Sequence, residues 1–215
     1  MKIAPGSKLV MIGDSITDCG RARPVGEGLF DALGNGYVNL VAAYLTAFYP
    51  QGRIRVVNMG VSGNTVRDLK ARWQADVLDL NPDWPSIMIG INDVWRQFDT
   101  PLQAEWQVPL EEYRQTLEEL VTFTRPKLKG MVLMSPYFIE ADPAEPMRAR
   151  MDRYGAVVRD LSSRYETVFV DTQAAFNTVL DHIHPGALAW DRVHPNTAGH
   201  LLLARAFLNG IGFSG

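Results

Sequence analysis

Two segments far apart in this chain carry the residue types of an acyl-transfer site. Gly13-Asp14-Ser15-Ile16-Thr17-Asp18 follows a short apolar run, and Trp190-Asp191-Arg192-Val193-His194-Pro195 precedes a helical pattern. A hydroxyl becomes a nucleophile when a base takes its proton, and an imidazole acts as that base when its other nitrogen is held. Ser15, His194 and Asp191 can supply these three groups, because an Asp three residues ahead of a His can turn back onto its ring. The reaction also needs donors for the oxyanion that develops on the carbonyl. Two more segments offer them. Asn58-Met59-Gly60-Val61-Ser62-Gly63-Asn64-Thr65 has a glycine, Gly63, at which the backbone can approach a ligand, and Gly90-Ile91-Asn92-Asp93 has the carboxamide of Asn92.

Each segment also has a plainer reading. Ser15 and Asp18 have the spacing of a helix capping box. Gly63 fits a turn before a helix that Asn64 or Thr65 would cap. Asn92 fits a strand-end turn, and Asp191 with His194 a loop ion pair. None of these readings requires all four segments to lie on one side of a sheet. Acyl transfer does.

The elements that must position them alternate. Short apolar runs at Leu9–Ile12, Ile54–Val57, Ile87–Ile91, Met131–Met134 and Val168–Val170 read as strands buried on both faces. Between them Val66, Leu69, Trp73, Val77 and Leu80 recur at helical spacing, as do Leu110, Tyr113, Leu117, Leu120 and Val121. Met147, Met151, Tyr154, Val158 and Leu161 make a third stripe, and Ala198, Leu201, Leu202 and Leu208 a fourth. This order predicts one α/β domain over residues 1–215, with a central parallel sheet of about five strands. In such sheets ligands bind beyond the strand C-termini, where all four segments fall. Two connections, Cys19–Gly36 and Asp93–Val108, read as long loops at that same end, and long loops are commonly functional.

Taken together, the four segments resemble, in order, the four sequence blocks of the SGNH, or GDSL, hydrolase family. Ile16 stands where the GDSL name has leucine. The resemblance is narrower at Ser62–Leu69, Met88–Gln97, Val170–Asn177 and Ala187–Pro195, which are similar to the intracellular bacterial acetylxylan esterases of that family. It implies a flavodoxin-like three-layer α/β/α fold and no cofactor. Ser15 would be the nucleophile, His194 the base and Asp191 its partner. The main-chain N–H groups of Ser15 and Gly63, with the Asn92 side chain, would form the oxyanion hole. The expected reaction removes acetyl groups from acetylated saccharides such as xylo-oligosaccharides; a short-chain thioesterase or lysophospholipase of the same family is the alternative.

Asp14, Trp95, Arg96, Tyr137 and Trp190 are the candidates for contacts to substrate, with core or interface packing as the competing role for the aromatic ones. Other chemistries are weaker. Asp181, His182 and His184 invite a metal site, but they lie where a helix would end, so no metal is expected. A non-catalytic carbohydrate-binding module would not need the full set of reacting groups, and a nucleotide-binding turn would want a lysine. The 215 residues, 47% apolar and 21% charged with a formal charge of −3, fit a soluble enzyme rather than a nucleic-acid or membrane binder. A single cysteine, Cys19, reads as a packing residue and fits a cytoplasmic location. The five tryptophans and apolar loops suggest a homo-oligomer.

Overall fold

The computed structural model describes residues 1–213. One parallel sheet holds β1 (Lys8–Gly13), β2 (Arg55–Asn58), β3 (Trp84–Met88), β4 (Val132–Met134) and β5 (Val168–Val170), in the order β2-β1-β3-β4-β5. Almost every residue of these strands is buried, as their unbroken apolar runs require. The expected flavodoxin-like sheet of five strands is therefore present. One strand lies earlier than the apolar run suggested. β3 pairs with β1 from Leu9↔Trp84 to Gly13↔Met88 and with β4 only from Ser86 onward. Pro85, which has no N–H to donate, thus sits where β3 has a single neighbour. Gly90, at φ +132°, then turns the chain so that Ile91 starts a helix instead of ending a strand.

Helices α1 (Ser15–Asp18), α2 (Tyr37–Phe48), α3 (Val66–Trp73), α4 (Ile91–Asp99), α5 (Leu110–Thr124), α6 (Pro146–Arg164), α7 (Thr172–Leu180) and α8 (Thr197–Gly210) connect the strands. α2 packs on α8 and α8 on α7, while α3 packs on α5 and α5 on α6. These two groups are the outer layers. In α8 the buried stripe is Leu203, Ala204, Phe207 and Leu208, and Leu201 faces outward. The segment Asp93–Val108, read as a loop, is mostly α4 followed by a turn at Ala104–Trp106.

The connection from Cys19 to Gly36 is irregular but anchored. Arg21, 6% exposed, donates through Nε to the Gly60 carbonyl at 2.7 Å. Asn58 Nδ2 donates to Thr17 O at 2.7 Å and Leu33 O at 2.8 Å. Polar groups buried this way are satisfied and stiffen the loop. It backs the turn after β1 against the end of β2.

Candidate active site

The chain leaves β1 at Gly13, where a Cβ would lie 2.3 Å from the Met88 carbonyl oxygen of the neighbouring strand. Only glycine fits that approach. Asp14 then caps α1, its Oδ1 accepting from Ile16 N at 3.0 Å. Because Asp14 takes the cap, Ser15 is free for another partner. Its Oγ lies 2.8 Å from His194 Nε2.

His194 Nδ1 lies 2.6 Å from Asp191 Oδ2. The other carboxylate oxygen, Oδ1, accepts from Val193 N at 2.9 Å and His194 N at 2.8 Å. Asp191 therefore fixes the loop and the ring together, and Arg192, at φ +62°, makes the turn between them. Burial pushes the Asp191 carboxyl up, but the bonds from the His194 ring and from the two main-chain N–H groups outweigh it and hold its pKa below the ordinary value. An ionised Asp191 accepts from Nδ1–H, which leaves Nε2 with its lone pair toward the Ser15 hydroxyl.

Beneath this loop Tyr137 donates through its hydroxyl to Val193 O at 3.1 Å, and Ile139 N donates to Arg192 O at 2.9 Å. Asn196 caps α8 immediately after, accepting from Ala198 N and Gly199 N. The His194 loop is thus held from the strand side and from the helix side.

The oxyanion candidates come from the next two strand ends. Gly63 has φ +81° in the loop after β2, a backbone conformation that favours glycine. Thr65 and Asp68 then form a capping box on α3. Asn92 is the second residue of α4 rather than part of a strand-end turn, and its Nδ2 donates to Asn64 O at 3.0 Å. The adjacent Asp93 accepts from Val66 N at 3.0 Å, so α4 grips the start of α3 with two consecutive side chains. Ser15, Gly63 and Asn92 therefore stand at the ends of β1, β2 and β3, around the β1/β3 point where the strand order reverses.

The proposed substrate contacts fare differently. Asp14 is 1% exposed and caps α1, and burial raises its pKa to about 7 against the opposing bond from Ile16 N. Tyr137, also 1% exposed, buttresses Val193. Trp95 meets the His194 ring edge-on, with centroids 5.8 Å apart. Arg96 lies over the Trp95 ring and reaches Asn92 Oδ1 at 3.3 Å. Trp190 projects from the fold at 96% exposure.

Residues not singled out in the sequence complete the surroundings. A cavity of about 270 Å³ opens on Gly63 and is lined by Arg67, Asp68, Arg96, Glu105 and Trp106. Trp106 sits in the short turn after α4, and Arg67 holds that turn through the carbonyls of Glu105 and Gln107. Only its separation from the motifs hid it. A roomier cavity, of about 380 Å³, lies between α6 and α7 and contains none of the reacting groups.

Cys19 Sγ lies 3.2 Å from His200 Nε2, but burial, then Asp18 and Asp14, push its pKa up to about 11. It is a poor nucleophile beside Ser15. Among the described residues no three His, Cys, Asp or Glu side chains gather as metal ligands, and no helix is long and apolar enough to cross a membrane.

Comparison with known proteins adds kinship to this geometry. Residues 11–202 match the model of the GDSL-like lipase/acylhydrolase family. The acetylxylan esterase of Geobacillus stearothermophilus is 62% identical over 99% of this chain and 97% of its own length. Its crystal structure superimposes with a TM-score of 0.99 at 61% identity, covering 100% of this chain and 98% of that one. Structures of that enzyme with S15A, D191A or H194A are each of a catalytic mutant. An α/β hydrolase from the metagenome of Lake Arreo, Spain, superimposes with a TM-score of 0.98 at 57% identity, over 99% of this chain and 98% of the other.

Proposed function

The chain belongs to the GDSL-like lipase/acylhydrolase family, and from that premise we propose that it is a serine esterase removing acetyl groups from acetylated saccharides, foremost xylo-oligosaccharides. The observation that carries this reading is the continuous relay from Ser15 through His194 to Asp191, at 2.8 and 2.6 Å. In it Ser15 Oγ attacks the acetyl carbonyl while Nε2 of His194 takes the hydroxyl proton. The C–O bond to the sugar breaks as His194 returns that proton to the departing sugar oxygen. Water, deprotonated by the same nitrogen, then releases acetate from the acyl-enzyme. Asp191 keeps the ring in the required tautomer and stabilises its cationic form.

In this account the N–H groups of Ser15 and Gly63 and the second N–H of Asn92 Nδ2 hold the tetrahedral oxygen. Asn64 O occupies one N–H of that amide, which aims the carboxamide and leaves the other free. Trp95 beside the base limits the acyl side. The polar cavity next to Gly63 suits a hydroxylated leaving group, with Arg96 and Trp106 at its wall.

The same reading extends to setting. The exposed Leu29, Phe30, Leu102 and Trp190 support self-association. A free, protonated thiol at Cys19 suits the cytoplasm, where acetylated oligosaccharides rather than polymer would be met.

A substrate panel tests the assignment: acetylated xylo-oligosaccharides, other acetylated sugars, an acyl-CoA and a lysophospholipid. The highest kcat/KM is expected on the first. A preference for the acyl-CoA or the lysophospholipid would move the chain to another branch of the family.

A further inference from the structure

The last turn of α3 carries an arginine that none of the steps above uses. Arg72 donates through Nη2 to the Gly13 carbonyl at 2.9 Å, through Nε to Asn64 Oδ1 at 2.6 Å and through Nη1 to Met59 O at 2.7 Å. Asp76, one turn further on, accepts from Nη1 at 2.6 Å and fixes the head group. With its side chain 16% exposed, the guanidinium makes these bonds largely out of water. Hydrogen bonds from a charged donor in such a place are stronger than neutral ones.

Two of these acceptors lie within two residues of an oxyanion donor, and one of them leads to the third. Gly13 lies two residues before Ser15 on the same turn. Asn64 directly follows Gly63. The main-chain oxygen of Asn64 receives Asn92 Nδ2, so the carboxamide is set by the same residue that Arg72 grips. The Gly13 carbonyl also takes Val61 N at 3.0 Å, which draws the β2–α3 loop to the nucleophile turn from the other side. A planar fork with donors in fixed directions sets the relative positions of its acceptors, which a single ammonium cannot do.

We propose that Arg72 is a positioning residue for the oxyanion hole, holding the Ser15, Gly63 and Asn92 donors in register. This inference rests on the roles given above to those three donors. Arg72 bonds to neither His194 nor Asp191 and touches no reacting atom. The oxyanion exists only along the reaction path, so a loosened hole slows the chemical step and leaves ground-state binding nearly intact.

The test is a double-variant cycle with Arg72→Lys and Asn92→Ala, assayed on p-nitrophenyl acetate and on acetylated xylo-oligosaccharide. Arg72→Lys is expected to lower kcat by about 10- to 100-fold with KM within about threefold of the parent. The acid limb of its pH–rate profile stays where the parent's is, because the base and its partner are untouched. The double variant falls below Asn92→Ala by clearly less than Arg72→Lys falls below the parent, since one of the three donors that Arg72 positions is already gone. Multiplying losses in the double variant overturn the proposal. So does parental kcat in Arg72→Lys beside a crippled Asn92→Ala. Parental kcat in Asn92→Ala removes the oxyanion reading itself, and the proposal with it. Should Arg72→Lys fail to fold, Asn64→Ala replaces it with the same outcomes, since it removes one acceptor of the fork and keeps the main-chain oxygen.

Discussion

Replacing Asp93 with asparagine should change how stability depends on pH, in a direction the structure fixes. Asp93 is fully buried; Oδ1 accepts from Val66 N at 3.0 Å and Oδ2 has no hydrogen-bond partner. Burial raises its pKa from 3.8 to about 7, against the bond from Val66 N and with help from the nearby Asp14. Below about pH 4 the folded and unfolded chains are both protonated here, and the group's contribution is constant. Between about pH 4 and pH 7 the unfolded chain releases its proton while the folded chain keeps it. Stability then falls by about 1.4 kcal/mol per pH unit, to a total of about 4 kcal/mol. Above about pH 7 both states are ionised and the loss stops growing. Asparagine keeps an oxygen for Val66 N and cannot ionise, so the variant lacks this slope. Asp14, raised likewise to about 7 chiefly by its own burial, remains in both proteins and largely cancels in the comparison. At about 2–4 °C per kcal/mol for a chain of this size, the variant's Tm should gain on the parent's by on the order of 10 °C between pH 4 and pH 8. Thermal melts of both proteins across that range at constant ionic strength make the comparison. Parallel Tm curves, or a parent that gains on the variant as pH rises, would refute the reasoning.

Three more outcomes are expected. Asn92→Ala should lower kcat by about two to three orders of magnitude with little change in KM, read from steady-state kinetics on p-nitrophenyl acetate. The acetate should be cleaved at least about tenfold more efficiently than the octanoate, and Trp95→Ala should flatten that preference because the indole stands against the base. Trp106→Ala should raise KM for acetylated xylo-oligosaccharide several-fold while leaving p-nitrophenyl acetate nearly unchanged, as expected of a wall that meets only the sugar.

Much of this fold was legible because its strands are buried on both faces and spell themselves as apolar runs. β3 was displaced because Pro85 and Ser86 interrupt its run, and only pairing with β1, joined from Ser86 by β4, reveals that they belong to it. α4 was read as a loop because its start coincides with the Asn92 motif and its polar face is rich in Arg, Gln and Asp. The proposed reacting residues could be named from type and spacing, since Asp191 and His194 are close in sequence and Ser15 follows a strand. Their surroundings could not. Asp14 and Tyr137 are chemically able to meet a sugar, and only burial shows them spent on a cap and a buttress. Arg72 meets the Gly13 carbonyl from 59 residues away, and Trp106 shares its cavity with Gly63, so no local pattern marks either.

Everything in the proposed reaction depends on Ser15 being the group that becomes acylated. Treatment with an organophosphonate or a sulfonyl fluoride, followed by intact-protein mass spectrometry and peptide mapping, addresses it directly. One adduct per chain on Ser15, loss of activity in step with labelling, and no adduct in His194→Ala are expected. Label on Cys19 or on another hydroxyl, with Ser15 unmodified and activity lost, would contradict it.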